Sequence, residues 1–239
     1  MNNKSIDFVN DIGSNKKIQL EEEQISLAGI ASREKKGVFF REEYDGNELV
    51  ISDITHLNIT GVDSSKSEII TAPSYATVLN FETCNHISLS SLSIGHSPKS
   101  GYCTGGVVDF RYCYDVVMEN LVLYGCGTYG VELEACANVI IRNTIIKECT
   151  YGIFSVVTCK NVLFENCCFV NNLAYSCYIR NAEDVHFKNC KFENNEKGDF
   201  FDEYMLHLSS NRGIVFSNCS FDRKEVLVSP DEEYLIEFA

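Results

Sequence analysis

Leu133-Glu-Ala-Cys136-Ala-Asn138-Val-Ile-Ile-Arg-Asn143 is answered by Val156-Val-Thr-Cys159-Lys-Asn161-Val-Leu-Phe-Glu-Asn166, and again by Ile179-Arg-Asn-Ala182-Glu-Asp184-Val-His-Phe-Lys-Asn189. The phrases begin at 133, 156 and 179, a constant interval of 23 residues. A period in the twenties marks stacked repeats, each of which buries its apolar side only against its neighbours. Extending the phrase both ways finds copies starting at 51, 81, 110 and 208, which makes seven coils in all.

Within the coil around Leu133 the apolar residues come in three bursts: Val131 and Leu133, Val139 and Ile141, then Thr144 and Ile146. A period of two marks each burst as a strand, and no burst has the 3.6-residue period of a helix. Three strands in so short a coil leave only tight corners, so the expected fold is all-β, a right-handed parallel β-helix of about seven or more coils. Each strand pairs with its equivalent one coil away at ~4.8 Å, which aligns side chains in columns. The corner residues agree: positions equivalent to Asn138 read His56, His86, Asp115, Asn138, Asn161, Asp184 and Gly213, types that tolerate left-handed turns. Positions equivalent to Asn143 read Ser91, Asn120, Asn143, Asn166, Asn189 and Asn218, a column able to hydrogen-bond to itself along the axis.

This order of strand, short turn, strand, asparagine corner, strand and variable loop resembles the right-handed β-helix of the pectin and pectate lyase-like superfamily over about 49–221. The phrase Tyr124-Gly-Cys-Gly-Thr-Tyr-Gly130 is similar to uncharacterised bacterial β-helix proteins. The resemblance implies that the strand at Val131 to Leu133 is the first of its coil, on the face where the family carries its sites. The chain has no Arg-x-Pro-x-x-Arg, no Asn-Thr-Asp and no Gln-Asp-Thr-Leu of the family's enzymes, so no catalytic residue is transferred from them.

A continuous repeat implies one domain over 1–239: a capping helix at 5–13, irregular first coils at 14–50, regular coils at 51–221 and a C-terminal cap at 222–239. In the helix Ile6, Val9 and Ile12 fall at helical spacing, with Ser5 as N-cap and Gly13 as stop. Ile18 and Leu20, then Ile25 and Leu27, predict two short strands around an acidic turn; 29–44 predicts only a strand near Val38 to Phe40. The 20 Lys and Arg against 34 Asp and Glu give a formal charge of -14, which opposes binding to nucleic acid or an anionic membrane. The N-terminus has no apolar signal core, so the chain as written reads as cytoplasmic, and as exported if a leader has been removed. The 12 cysteines fit that reading. Cys84, Cys113, Cys136 and Cys159 share one column and Cys167, Cys190 and Cys219 another, read as small buried residues rather than disulfides. Cys103 lies in a long loop and is the candidate accessible thiol.

The alternation of the first strand sends two columns outward. One reads Asn80, Asp109, Glu132, Ser155, Tyr178 and His207; the other reads Glu82, Arg111, Glu134, Val157, Arg180 and Ser209. Asp109, Glu132, Arg111 and Glu134 are the candidate catalytic group, exposed on a sheet face, with Asp109 and Glu132 about 5 Å apart by strand spacing. Two carboxyls at that separation suit a retaining glycosidase. A polysaccharide lyase would use the same pair, Asp109 and Glu132, to hold Ca2+; otherwise no cofactor is required. An ion network with Arg111 between Glu82 and Glu134 is the structural alternative. Long inserts at 95–106 and about 193–204 flank the face and supply the candidate substrate-binding residues His96, Lys99 and Tyr102. Tyr124 and Tyr129 come from the next corner, with Tyr178, Arg180 and His207 further along. Two functions follow: an oligo- or polysaccharide-binding or -processing β-helix of lyase or hydrolase type with a groove on the first-strand face, or a non-catalytic solenoid that serves as a scaffold or protein-interaction module.

Overall fold

The computed structural model describes residues 3–26, 34–35, 37–43, 46–72, 75–96, 104–125, 127–173, 176–196, 204–223 and 227–239. Among these the repeat folds as three parallel sheets, entered once each per coil. In the coil quoted above the strands are Val131–Glu134, Ala137–Arg142 and Ile145–Lys147, which coincide with the three apolar bursts. Seven such trios follow one another from Gly46–Ser52 to Ser220–Phe221. Each strand hydrogen-bonds to its equivalents in the neighbouring coils, in the register the period demands: Val131 faces Val108 on one side and Phe154 on the other.

The corners are sharp because single residues turn in the left-handed region. Asn138, Asn161 and Asp184 have φ of 56°, 55° and 57°, and Asn143, Asn166 and Asn189 have 50°, 54° and 54°. A third corner places Thr83, Ala135 and Thr158 at 56°, 53° and 57°, a conformation that is costly for β-branched residues and is held by the coils around it. The asparagine column hydrogen-bonds as its composition implies, with Asn166, Asn189 and Asn218 each donating to the preceding Oδ1 at 3.3, 3.0 and 2.8 Å.

The interior is a stack of identical rungs. Phe164, Phe187 and Phe216 lie face to face with centroids 4.7 and 4.4 Å apart, and Phe169, Phe192 and Phe221 repeat this at 4.5 and 4.7 Å. The cysteine columns do more than fill space. At an inward-turning corner a backbone N–H leaves the sheet ladder, and the side chain one coil on accepts it: Cys84 N–H reaches Cys113 Sγ at 3.3 Å, and Cys136 N–H reaches Cys159 Sγ at 3.4 Å. Asn211 and Asn172 serve the same role for Ala182 and Cys149, at 2.9 and 3.0 Å. The ten described cysteines are all free thiols; Cys103 and Cys126 lie outside the described residues.

The ends are closed by elements that the repeat does not encode. Helix Asn3–Asp11 buries Ser5, Phe8 and Val9 on one side, with Ile12 buried just beyond its end, and packs against Gln24–Ser26. Ser5, expected as the N-cap, is therefore the third helical residue and part of the buried face, while Ile6 is only half-buried. The strands Lys17–Leu20 and Gln24–Ser26 continue the second and third sheets, so they form an incomplete coil. In place of its first strand, Val38–Glu43 runs antiparallel to Gly46–Ser52 and shields the edge of the first sheet. At the other end Ile236–Phe238 pairs with the last strand of the second sheet. No helix among the described residues is long and apolar enough to cross a membrane.

Candidate active site

The two outward columns form with the expected neighbours. Asp109 stands between Asn80 and Glu132, Glu132 beside Ser155, and Tyr178 between Ser155 and His207. Arg111 stands between Glu82 and Glu134. Exposure departs from the expectation: Asn80, Asp109 and Ser155 are only 4%, 4% and 5% exposed. Alternation fixes which face a side chain takes, whereas its exposure depends on what else lies over that face. Here the antiparallel hairpin places Arg41 against both Glu82 and Glu48. The corner segments also stack closely: Gly127 and Thr128 donate to Gly105 O at 3.0 and 3.4 Å, and a Cβ on Gly105 would lie 2.2 Å from the Ala76 carbonyl oxygen.

Asp109 is the most perturbed carboxyl of this group. Arg111 Nη2 lies 2.9 Å from its Oδ2, which by itself would favour the ionised form. Burial, reinforced by the charges of Glu132 and Glu48, outweighs that contact and raises the Asp109 carboxyl to about 7. Glu132 is also raised, first by burial and then by Glu134, with Arg111 opposing. Arg111 reaches on to Glu134, Nε to Oε2 3.7 Å, while Glu82 is taken by Arg41. Arg111 thus pairs with Asp109 and Glu134 rather than bridging Glu82 and Glu134. Among the described residues, Asp109 Oδ1 and Asn80 Nδ2 are buried without a hydrogen-bond partner. A carboxyl oxygen and an amide N–H left open on neighbouring strands can both hydrogen-bond a substrate oxygen.

The remaining predicted residues separate into groups. Tyr129 lies against Gly152, where a Cβ would meet its ring at 2.2 Å, and sits edge-on to Tyr178 at 6.1 Å. Tyr178 stacks on His207 at 4.5 Å, so an aromatic run continues the acid column along the axis. Arg180 is exposed in the second column. His96 is buried at the end of a third-sheet strand, and since Ala76 O can only accept, Nε2–H donates to it at 2.9 Å; this ties down the start of the first insert. Tyr124 also belongs to the third sheet, where it covers Gly95 and donates to Glu68; its phenol is raised by burial and then by that carboxylate. Its contacts are therefore away from the first-sheet face. Lys99 and Tyr102 lie outside the described residues, as does most of the second insert.

Glu48 and Arg41 were missed from sequence. Glu48 is 6% exposed and accepts Thr77 N–H at 3.2 Å while pairing with Arg41 at 3.2 Å. The signal for Glu48 was present in the alternation of Glu48, Val50 and Ser52 against the inward Leu49 and Ile51; nothing local announced the hairpin that carries Arg41. The residues do not fit Ca2+, which takes about six to eight oxygens. Arg111 already supplies the counter-charge to Asp109, and among the described residues no three His, Cys, Asp or Glu side chains are placed to hold one ion. Two clefts lie elsewhere. One of about 510 Å³ lies over Ile140, Leu163 and His186 of the second sheet, and one of about 440 Å³ lies at the C-terminal end beside Phe221, Leu227 and Phe238.

A family model described as "Right handed beta helix region" matches residues 77–229. No curated protein matches the chain. Among solved structures, ORF18 of Geobacillus virus E2 is similar at 10% identity and TM-score 0.55, over 90% of this chain and 49% of that one. Pectate lyase Pel9A is similar at 9% identity and TM-score 0.47, over 98% and 68%. The tailspike protein gp49 of Acinetobacter baumannii bacteriophage Fri1, a capsular polysaccharide depolymerase, is similar at 14% identity and TM-score 0.36, over 92% and 46%. Identities this low speak to fold alone. With more than half its length matched by the family model and its three sheets stacked in register, the chain belongs to the right handed beta helix family.

Proposed function

We propose that the protein processes a polysaccharide at the first-sheet face, with Asp109 as general acid and Glu132 as its carboxylate partner. The observation that carries this reading is a buried Asp109 carboxyl, open at Oδ1, one strand away from Glu132. A carboxyl held near 7 keeps its proton close to neutrality and can deliver it to a leaving oxygen. Parallel strands separate the two residues by ~4.8 Å, close to the roughly 5–5.5 Å of a retaining glycosidase. Arg111 orients Asp109, and Asn80 Nδ2 is free to donate to a substrate oxygen. The run Ser155, Tyr178 and His207 extends the site along the axis, as a chain substrate requires. The lyase form of the reading loses ground because Arg111 stands where its Ca2+ would bind.

The test is reducing-end release from a panel of neutral and acidic polysaccharides, including the substrate classes named for the structural neighbours. Asp109→Asn and Glu132→Gln should each lower the rate about 100-fold or more, with unchanged far-UV circular dichroism. Intact activity in both variants would sink the assignment. A non-catalytic binding role has one observation of its own, the outward stripe Val117, Ile140 and Leu163 on the second sheet, with Ile140 37% exposed. Absence of turnover on every glycan, with a protein partner lost on Ile140→Asp, would favour it.

A further inference from the structure

The second-sheet corner column begins with two histidines, and the functional reading above leaves them unused. Thr55 pairs with Asn85 and Leu57 with Ile87, so His56 and His86 occupy equivalent corner positions on successive coils. Both backbones are left-handed, with φ of 56° and 53°, and both side chains reach solvent. Their rings are 4.4 Å apart between centroids and tilted by 37°.

The hydrogen bonds around the rings set their tautomers. Thr55 donates its hydroxyl proton to Asn85 Oδ1, so its oxygen accepts, and His56 Nδ1–H is the donor across 2.9 Å. His86 Nδ1 lies 3.5 Å from Asp115 Oδ2, an acceptor that favours a proton on Nδ1. Asp115 is itself fixed by Asn138 Nδ2, which donates to its Oδ1 at 2.9 Å. His56 therefore keeps its lone pair on Nε2, and both rings are exposed to solvent. A ring nitrogen held by a carboxylate or hydroxyl while the other faces out is the arrangement that supports metal-ligating histidines.

We propose that His56 and His86 form a two-imidazole site for a divalent transition metal of the Ni2+, Cu2+ or Zn2+ class, with Asp115 orienting His86 from behind. With the ring centroids 4.4 Å apart, both imidazoles lie within reach of one ion at metal–nitrogen bonds of ~2.0–2.1 Å. No third side chain converges on the pair among the described residues, so water completes the coordination. The site joins the first two full coils, and a bound ion would hold them together.

Ni2+ is the probe, because it favours imidazole while the thiols favour softer ions. Protein free of appended histidines is titrated with NiCl2 by calorimetry, and its thermal midpoint is followed with and without metal. One equivalent should bind, with a rise in midpoint. His56→Asn and His86→Asn, both compatible with a left-handed corner, should each weaken binding at least tenfold. Asp115→Asn should weaken it about tenfold or more, as loss of an orienting partner does. His186→Asn, on the same sheet further along, should leave it unchanged. No saturable binding up to millimolar Ni2+, or binding that survives His56→Asn and His86→Asn, would overturn the proposal.

Discussion

Replacing Asp109 by asparagine should flatten part of the pH dependence of stability, by an amount that follows from its burial. Asp109 is raised from 3.8 to about 7 in the folded protein, so the native state binds its proton more tightly than the unfolded chain does. Stability from this group is then fully present below about pH 3.8 and is lost as pH rises to about 7. At about 1.4 kcal/mol per pH decade the whole effect is about 4 kcal/mol, of which about 2.5 kcal/mol falls between pH 5 and pH 8. The side chain is 6% exposed, so solvent screening removes little of this. The assay is urea unfolding of both proteins at several pH values across that window. The advantage of the wild type over Asp109→Asn should decline by about 2.5 kcal/mol on going from pH 5 to pH 8, within a factor of two. A flat difference, or one that grows with pH, would refute the claim that burial and Glu132 outweigh the Arg111 contact.

Three further outcomes follow from the stacking. Phe187→Ala removes the middle ring between Phe164 and Phe216 and should cost about 3–5 kcal/mol in urea unfolding; a loss below about 1 kcal/mol would mean that the core is not packed as described. Asn166→Ala should cost about 1–2 kcal/mol, chiefly because φ is 54° there, and Asn166→Gly should recover most of it; equal losses would reject the backbone explanation. Without reductant, the denatured protein should titrate 12 thiols, while in the native state the buried cysteines should react far more slowly; Cys177 is the extreme case, its thiol raised well above its usual value by burial. A denatured count short of 12 would establish disulfides.

The fold was legible because a coil of fixed length converts sequence spacing directly into spatial neighbourhood. Once Leu133, Val156 and Ile179 are aligned, every column follows, and Asp109 beside Glu132 is read from the period alone. The asparagine column was legible for the same reason. The cysteine columns were placed correctly, yet their role in accepting Cys84 and Cys136 N–H groups needed the direction of the corner backbone. The helix was found from its apolar spacing, but its buried face is Ser5, Phe8 and Val9, because packing against Gln24–Ser26 chose the face.

By itself, the sequence determined the architecture, the register and the candidate carboxyl pair, since all three depend on a period that a single chain displays. Only the tertiary structure decided what that pair is chemically. Arg41 comes from a hairpin arm without repeat signal and pairs with Glu48 on the adjacent strand, and the corner segments lie beside a face that alternation marked as solvent-facing. The resulting burial turns two surface acids into a carboxyl held near neutrality beside Arg111. Burial is a property of everything packed around a group, and those neighbours are not written in the group's own stretch of chain.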